Sequence, residues 1–209
     1  MDAFKQRGFE NLIHIPNTIE LDRYSFQQRK VIAPHLLWVR SFTEIYQPKL
    51  AIEIIEQLRN QYPNSTLTMV GPPKDKTFDE CKSYVERHHL PVTFMGMLSK
   101  NEWIDLSAEH DIFINTTNFD NTPVSVIEAM ALGLPIISTN VGGMPYLITH
   151  EKDGILVPPK QVKPFVQEII SLLNDPDKVE RISKQARQKV EMFDWHTVKH
   201  QWNELFNSQ

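Results

Sequence analysis

Two carboxylates separated by seven residues, Asp120 and Glu128, carry the strongest chemical signal in this chain. They lie in the stretch NFDNTPVSVIEAMALGLPIISTNVGGMP, residues 118–145. Thr122 is a good helix cap, Pro123 suits the first helical position, and Gly133 with Pro135 supplies the stop, so a helix is expected over about 123–132. Val124, Ile127 and Ala131 line one face of it and Val126, Ala129 and Met130 another, which predicts burial on almost every side. Glu128 then stands inside an apolar helix, where a carboxylate loses hydration worth several kcal/mol unless hydrogen bonds replace the water. Those bonds come either from the protein, through backbone or an arginine, or from a ligand. The start of the same helix points free N–H groups and a partial positive charge at the loop that holds Asp120, an anion-binding geometry worth about 0.3–2 kcal/mol per favourable charge.

The elements that must hold these residues follow from hydropathy. Short β-branched runs (LIHI at 12–15, LLWV at 36–39, LTMV at 67–70, VTFM at 92–95, DIFIN at 111–115, PIIS at 135–138, ILV at 155–157) alternate with helical patterns, including 48–60, 78–89 and 99–109. This alternation predicts βαβ units and an α/β, doubly wound, mostly parallel Rossmann-like sheet. Ligands of such sheets collect beyond the carboxyl ends of the strands. There the sequence places Arg40 after LLWV, Gly71-Pro72-Pro73 after LTMV, Gly96 after VTFM, the 116–121 loop after DIFIN and residues 139–143 after PIIS. Taken singly, the glycines read as strand ends and Arg40 as a surface cation; as a set they nominate one edge of the sheet.

Composition narrows the classes of function. The 209 residues, 41% hydrophobic, fit one large or two small domains, and 23% charged residues with a net charge of -4 offer no basic surface for nucleic acid. Cys81 is the one cysteine, so no disulfide framework or Cys-based metal site is expected, and a reducing, cytoplasmic setting is the natural reading. No run approaches the ~18 apolar residues of a membrane span, and the opening MDAFKQRGFE lacks a signal-peptide core. Neither GxGxxG nor GxxxxGK occurs. Asp175-Pro176-Asp177 spells a DxD but reads as a turn with a helix cap, His88-His89 as a helix end, and no histidine spacing suits a metal.

The ordered run Glu128-Ala129-Met130-Ala131, Gly133-Leu134-Pro135, Ser138-Thr139, Val141-Gly142-Gly143, with an acid eight positions before Glu128, resembles the donor-binding signature of the retaining family 4 glycosyltransferases of the GT-B fold. The likeness extends from about Ile15 to the C-terminus, with Ile15-Pro16-Asn17 resembling the family's entry motif. It departs where Asp120 replaces the usual Glu, Thr18 a glycine and Glu20 an Asp, and where Tyr46-Gln47-Pro48 stands in place of a Lys-Gly pair. By resemblance, Arg40 would hold the diphosphate of a UDP- or GDP-linked sugar, Glu128 would accept from the ribose hydroxyls, and Asp120 would meet the transferred sugar. The same likeness gives residues Asn121, Thr122, Pro123 and Val124 to phosphate or sugar oxygens, Gly96, Met97 and Leu98 to the base, and Gly71 to close backbone approach. Lys49 is a candidate substitute for the missing lysine, and Tyr46 a candidate phosphate or stacking contact.

The resemblance implies retaining transfer to a sugar acceptor without a metal or other cofactor. It covers only the second of two Rossmann-like domains. Residues 1–17 read as a remnant of the acceptor-side domain, 18–192 as the donor domain and 193–209 as a crossover helix, capped by Asp194, with Trp195, Val198, Trp202, Leu205 and Phe206 in an apolar stripe. Turnover would then need an N-terminal domain in cis or in trans. A nucleotide-sugar-binding or assembly module without catalysis is the alternative, and a nucleotide-sugar epimerase a more distant one.

Overall fold

The computed structural model describes residues 2–207; Met1 and residues 208 and 209, which belong to the two terminal segments named above, lie outside the described residues. Among those described, six parallel strands form one sheet: β1 (His35–Val39), β2 (Thr66–Val70), β3 (Val92–Gly96), β4 (Ile112–Asn115), β5 (Ile136–Thr139) and β6 (Ile155–Val157). Helices alternate with them: α1 (Asp2–Lys5), α2 (Pro48–Leu58), α3 (Thr77–His88), α4 (Lys100–Ser107), α5 (Val124–Ala131), α6 (Met144–Leu147), α7 (Val162–Asn174), α8 (Pro176–Val190) and α9 (Trp195–Asn207). The expected doubly wound α/β fold is therefore what the chain forms.

The strand order is β3-β2-β1-β4-β5-β6. The chain builds outward from β1 to β3, then returns to lay β4 against the other side of β1, and this reversal opens a crevice at the carboxyl ends of β1 and β4. Alternate residues of each strand feed two cores, as the period of two requires. Leu36, Trp38, Ile112 and Ile114 join α2 and α7 on one face, while Leu37 and Phe113 join α5 and the end of α8 on the other.

Two local expectations are corrected. LIHI makes no strand: residues 9–18 are irregular, Ile13 is 65% exposed, and among the described residues the sheet holds only β1 to β6. Pro123, with extended backbone at ψ 121, is itself the cap of α5, so Thr122 lies outside the helix, which begins at Val124. Asp194 stands at the expected cap position, with extended backbone immediately before α9 and its carbonyl accepting from the Val198 amide at 2.9 Å, while its carboxylate accepts from the Leu21 amide at 3.2 Å, 173 residues away. Asp175 does cap α8, accepting from the Lys178 amide at 2.9 Å. Among the described residues no helix is long and apolar enough to cross a membrane.

Candidate active site

Arg40 is the first residue beyond β1, where its amide pairs with the Val70 carbonyl at 2.9 Å. Gly71 fits beside it because it has no Cβ: one would lie 1.7 Å from the Arg40 carbonyl oxygen, and Gly71 has φ +149. The Arg40 guanidinium donates from Nη2 to Asp120 Oδ2 at 2.6 Å and lies 5.0 Å from the centre of the Tyr46 ring, a cation–π distance. Burial presses its pKa downward and the Asp120 carboxylate opposes this, leaving an arginine that is charged at any physiological pH. Its Nε is buried with no hydrogen-bond partner among the described residues.

The loop after β4 brings Asp120 to this point. The Trp38 indole donates to Thr116 Oγ1 at 3.0 Å, and the Thr116 hydroxyl reaches the Tyr46 carbonyl at 2.8 Å, so the loop is tied to the turn that carries Tyr46. From the other side the Gly142-Gly143 turn supports it: the Gly143 amide donates to the Asp120 carbonyl at 2.7 Å. A Cβ on Gly142 would stand 2.2 Å from the Asp120 carbonyl oxygen, and one on Gly143 1.9 Å from that of Asn121. The second half of the sequence signature is therefore the mould against which its first half is shaped.

Glu128, one turn into α5, is 3% exposed. Its Oε1 accepts from the Tyr24 hydroxyl at 2.7 Å and pairs with the ammonium of Lys100. Burial, then the hydrogen bond to Glu128, pushes the Tyr24 phenol pKa upward, so the phenol stays a donor. Tyr24 is held in turn by Arg187, whose Nη1 donates to both the Tyr24 and the Ala131 carbonyls at 2.8 Å. Lys100 opens α4 within a capping box: Ser99 Oγ accepts from the Glu102 amide and the Glu102 carboxylate from the Ser99 amide.

Two cavities meet at the Glu128–Lys100 pair. One of about 290 Å³ lies at the switch point and is lined by Arg40, Gly71, Met97, Leu98, Ser125 and the pair itself, among others. Ser125 Oγ, like Arg40 Nε, is buried without a partner among the described residues. The other, of about 420 Å³, lies beyond the pair and is bounded by Thr18, Glu20, Arg23, Tyr24 and Trp195.

Of the residues nominated from the sequence, Arg40, Gly71, Met97, Leu98, Val124 and Glu128 line the smaller cavity. Asp120 and Tyr46 reach it through Arg40. Asn121 and Thr122 sit on the adjoining loop; the Asn121 amide is taken by Asp120 Oδ1 at 2.9 Å, and the Thr122 carbonyl accepts from Asn17. Pro123 offers no N–H. Gly96 supports the site from behind, its carbonyl accepting from the Gly71 amide at 2.8 Å. Lys49 is not brought to the site. It projects from the first turn of α2 toward α3, pairs with Glu53 at 3.8 Å and stands 5.4 Å from the Tyr84 ring. Lys100 and Tyr24 were missed. The capping box from Ser99 to Glu102 does mark Lys100 as a first-turn residue at the right sheet edge, but nothing local links Tyr24 to Glu128, 104 positions away.

Residues 25–189 match the family model described as "Glycosyl transferases group 1". The chain belongs to this family. Among its relatives, glycogen synthase from Mycobacterium tuberculosis is 26% identical over 196 residues, covering 91% of the chain and 47% of that protein. Sulfoquinovosyl transferase SQD2 from Arabidopsis thaliana is 28% identical over 151 residues, 71% of the chain and 29% of that protein. This group 1 glycosyl transferase chain thus spans less than half the length of these curated relatives. Its fold matches Anabaena Alr3699/HepE in complex with UDP at a TM-score of 0.87 and 20% identity, covering 100% of the chain and 61% of that one. It also matches the C-terminal domain of LpcC, a glycosyl transferase group 1 family protein from Francisella tularensis, at a TM-score of 0.72 and 19% identity, covering 83% of the chain and 97% of that one.

Proposed function

We propose that the chain is the donor-binding half of a retaining glycosyltransferase, taking a UDP- or GDP-linked sugar and needing an acceptor-side domain, in cis or in trans, for transfer to a sugar acceptor. One observation carries this reading: at the sheet's switch point, Arg40 and Ser125, whose Nε and Oγ are buried without partners among the described residues, line the same cavity as Glu128. Buried polar atoms are almost always satisfied, and two unpartnered ones belonging to residues that line the same cavity suit a polar ligand there. The cavity has a cation and a helix N-terminus for a diphosphate and a carboxylate for vicinal hydroxyls. Among relatives the family is one of transferases, and the structures of Alr3699/HepE hold UDP and UDP-glucose.

In this reading Arg40 neutralises the diphosphate as it departs and Glu128 accepts from ribose hydroxyls. Asp120 meets hydroxyls of the transferred sugar; its carboxylate, about 1.3 Å shorter in reach than a glutamate's, bears on which sugar is taken. Positioning and electrostatic stabilisation then do the protein's share of the chemistry without a metal or cofactor. Calorimetric titration with UDP, GDP and their sugars tests the donor site: binding to the native chain and at least ten-fold weaker binding to Glu128→Gln are expected, from the loss of hydrogen bonds to a charged acceptor worth roughly 1.5–3 kcal/mol. No affinity for any of these ligands would refute it. A second reading, a binding module without turnover, draws on the internal pairing of Arg40 with Asp120 and of Glu128 with Lys100. Sugar transfer on addition of an acceptor-side domain would exclude the module.

A further inference from the structure

We propose that Lys100, which pairs with Glu128, is a phosphate-binding residue of the donor site, released to the diphosphate when the ribose takes over the carboxylate. The inference rests on the donor reading and adds to it a residue and an exchange of partners. Among the described residues Lys100, Val124 and Glu128 line both cavities, so Lys100 stands where the two meet. That side chain is 40% exposed, whereas the carboxylate it holds is 4% exposed, so the ammonium has open space to move into and Glu128 does not.

Charge supports the same assignment. The lining of the smaller cavity contains two cations, Arg40 and Lys100, together with the first helical residues Val124 and Ser125, against the single carboxylate of Glu128. A helix N-terminus adds about half a positive charge. With Asp120 on Arg40 the formal charges of the two ion pairs cancel, so an anion such as a nucleoside diphosphate is favoured once ligand hydroxyls draw the carboxylates away from the cations. Both cations have internal partners, Arg40 in Asp120 and Lys100 in Glu128. The two acids thus keep the cations in place without fixing them, and ligand hydroxyls that hydrogen-bond to Glu128 compete for the same Oε1 that holds Lys100. Tyr24 retains its bond to that carboxylate throughout, so Glu128 is not left bare during the exchange.

The test compares nucleosides with their diphosphates, uridine against UDP and guanosine against GDP, by calorimetric titration. Removing Lys100 alone would expose the Glu128 charge to the phosphates, so Lys100→Met is measured in the Glu128→Gln background against Glu128→Gln itself. The diphosphate is expected to bind about ten-fold more weakly without the lysine, the nucleoside equally well, and Lys100→Arg to restore most of the loss. The salt dependence of diphosphate affinity should flatten with it. Equal weakening of nucleoside and diphosphate would show Lys100 to be a scaffold for the site, and no change in either would leave it without a role; both outcomes overturn the inference and leave the donor reading standing. A native chain that binds neither class of ligand overturns the donor reading and this inference together.

Discussion

Arg40 and Asp120 expose only 14% and 16% of their side chains, so their ion pair is screened little by solvent and each depends on the other. Asp120→Asn keeps the shape and removes the charge. Unfolding in urea should show a loss of roughly 1–3 kcal/mol, the range for depriving a buried charge of its charged partner. Diphosphate affinity should move the other way, tightening several-fold, because Arg40 no longer has to leave a carboxylate to meet a phosphate. Weaker UDP or GDP binding in this variant would count against Arg40 as the diphosphate ligand. Glu128 differs in kind: it is deeper, and it already holds two donors, Tyr24 and Lys100, so what the sequence marked as a carboxylate in need of a partner is one with partners that a ligand must share or displace.

Elements matter here through the distances at which backbones meet. The loop over residues 116–123 is clamped between the turn at 44–47 and the Gly142-Gly143 turn, and its position sets where Asp120 and the first amides of α5 lie. Gly143→Ala would drive a Cβ to 1.9 Å from the Asn121 carbonyl oxygen, an atom of backbone that cannot swing aside. The loop must shift, so a loss of about 1–3 kcal/mol in stability should accompany a marked loss of nucleotide affinity. Gly96→Ala is the control, since a Cβ there meets nothing within 4 Å and only the left-handed backbone, φ +68, resists it. That costs about 1–2 kcal/mol, with nucleotide affinity retained. Paired urea denaturation and titration of the two variants would separate packing of the loop from strain alone, and equal affinity losses would show that the glycine turn does not shape the site.

At the scale of the molecule, the two ends of the chain are sewn together beside the larger cavity. The Ile19 amide donates to the Phe193 carbonyl at 2.9 Å, the Trp195 amide to the Ile19 carbonyl at 2.9 Å, and the Leu21 amide to the Asp194 carboxylate. Ile19 and Trp195 both line that cavity, so this seam is one of its walls. Beyond it, α9 buries Val198 but leaves Trp202 at 37% and Phe206 at 69% exposure, their rings stacked at 5.9 Å. Asp194→Ala should therefore raise amide hydrogen exchange in residues 19–24 and 193–198 together while β4 amides stay protected, the signature of one cooperative local opening. Faster exchange on one side of the seam only would show that the two ends open independently.

The alternation of apolar runs and the EAMA-to-VGG stretch made the strands from 35 to 157, the helix bearing Glu128 and part of the smaller cavity's lining legible, because these depend on side-chain periodicity and on turns a few residues long. LIHI failed for the complementary reason: strand propensity forms a strand only where a neighbouring strand offers its hydrogen bonds, and residues 12–15 have no such neighbour among the described residues. Which cation stands at Glu128 was likewise beyond local reading. Lys49 and Lys100 each occupy the first turn of a helix following a strand, and strand order alone would favour Lys49, whose helix follows β1 at the crevice, over Lys100, whose helix follows the edge strand β3. The packing of the helices nonetheless sends Lys49 toward α3 and Lys100 to Glu128. Residue types and short spacings determined that a carboxylate would be buried next to an arginine's strand end; the tertiary fold decided what would be bound to it, because contacts across 28 and 104 positions are made by the packing of elements and leave no trace in local sequence.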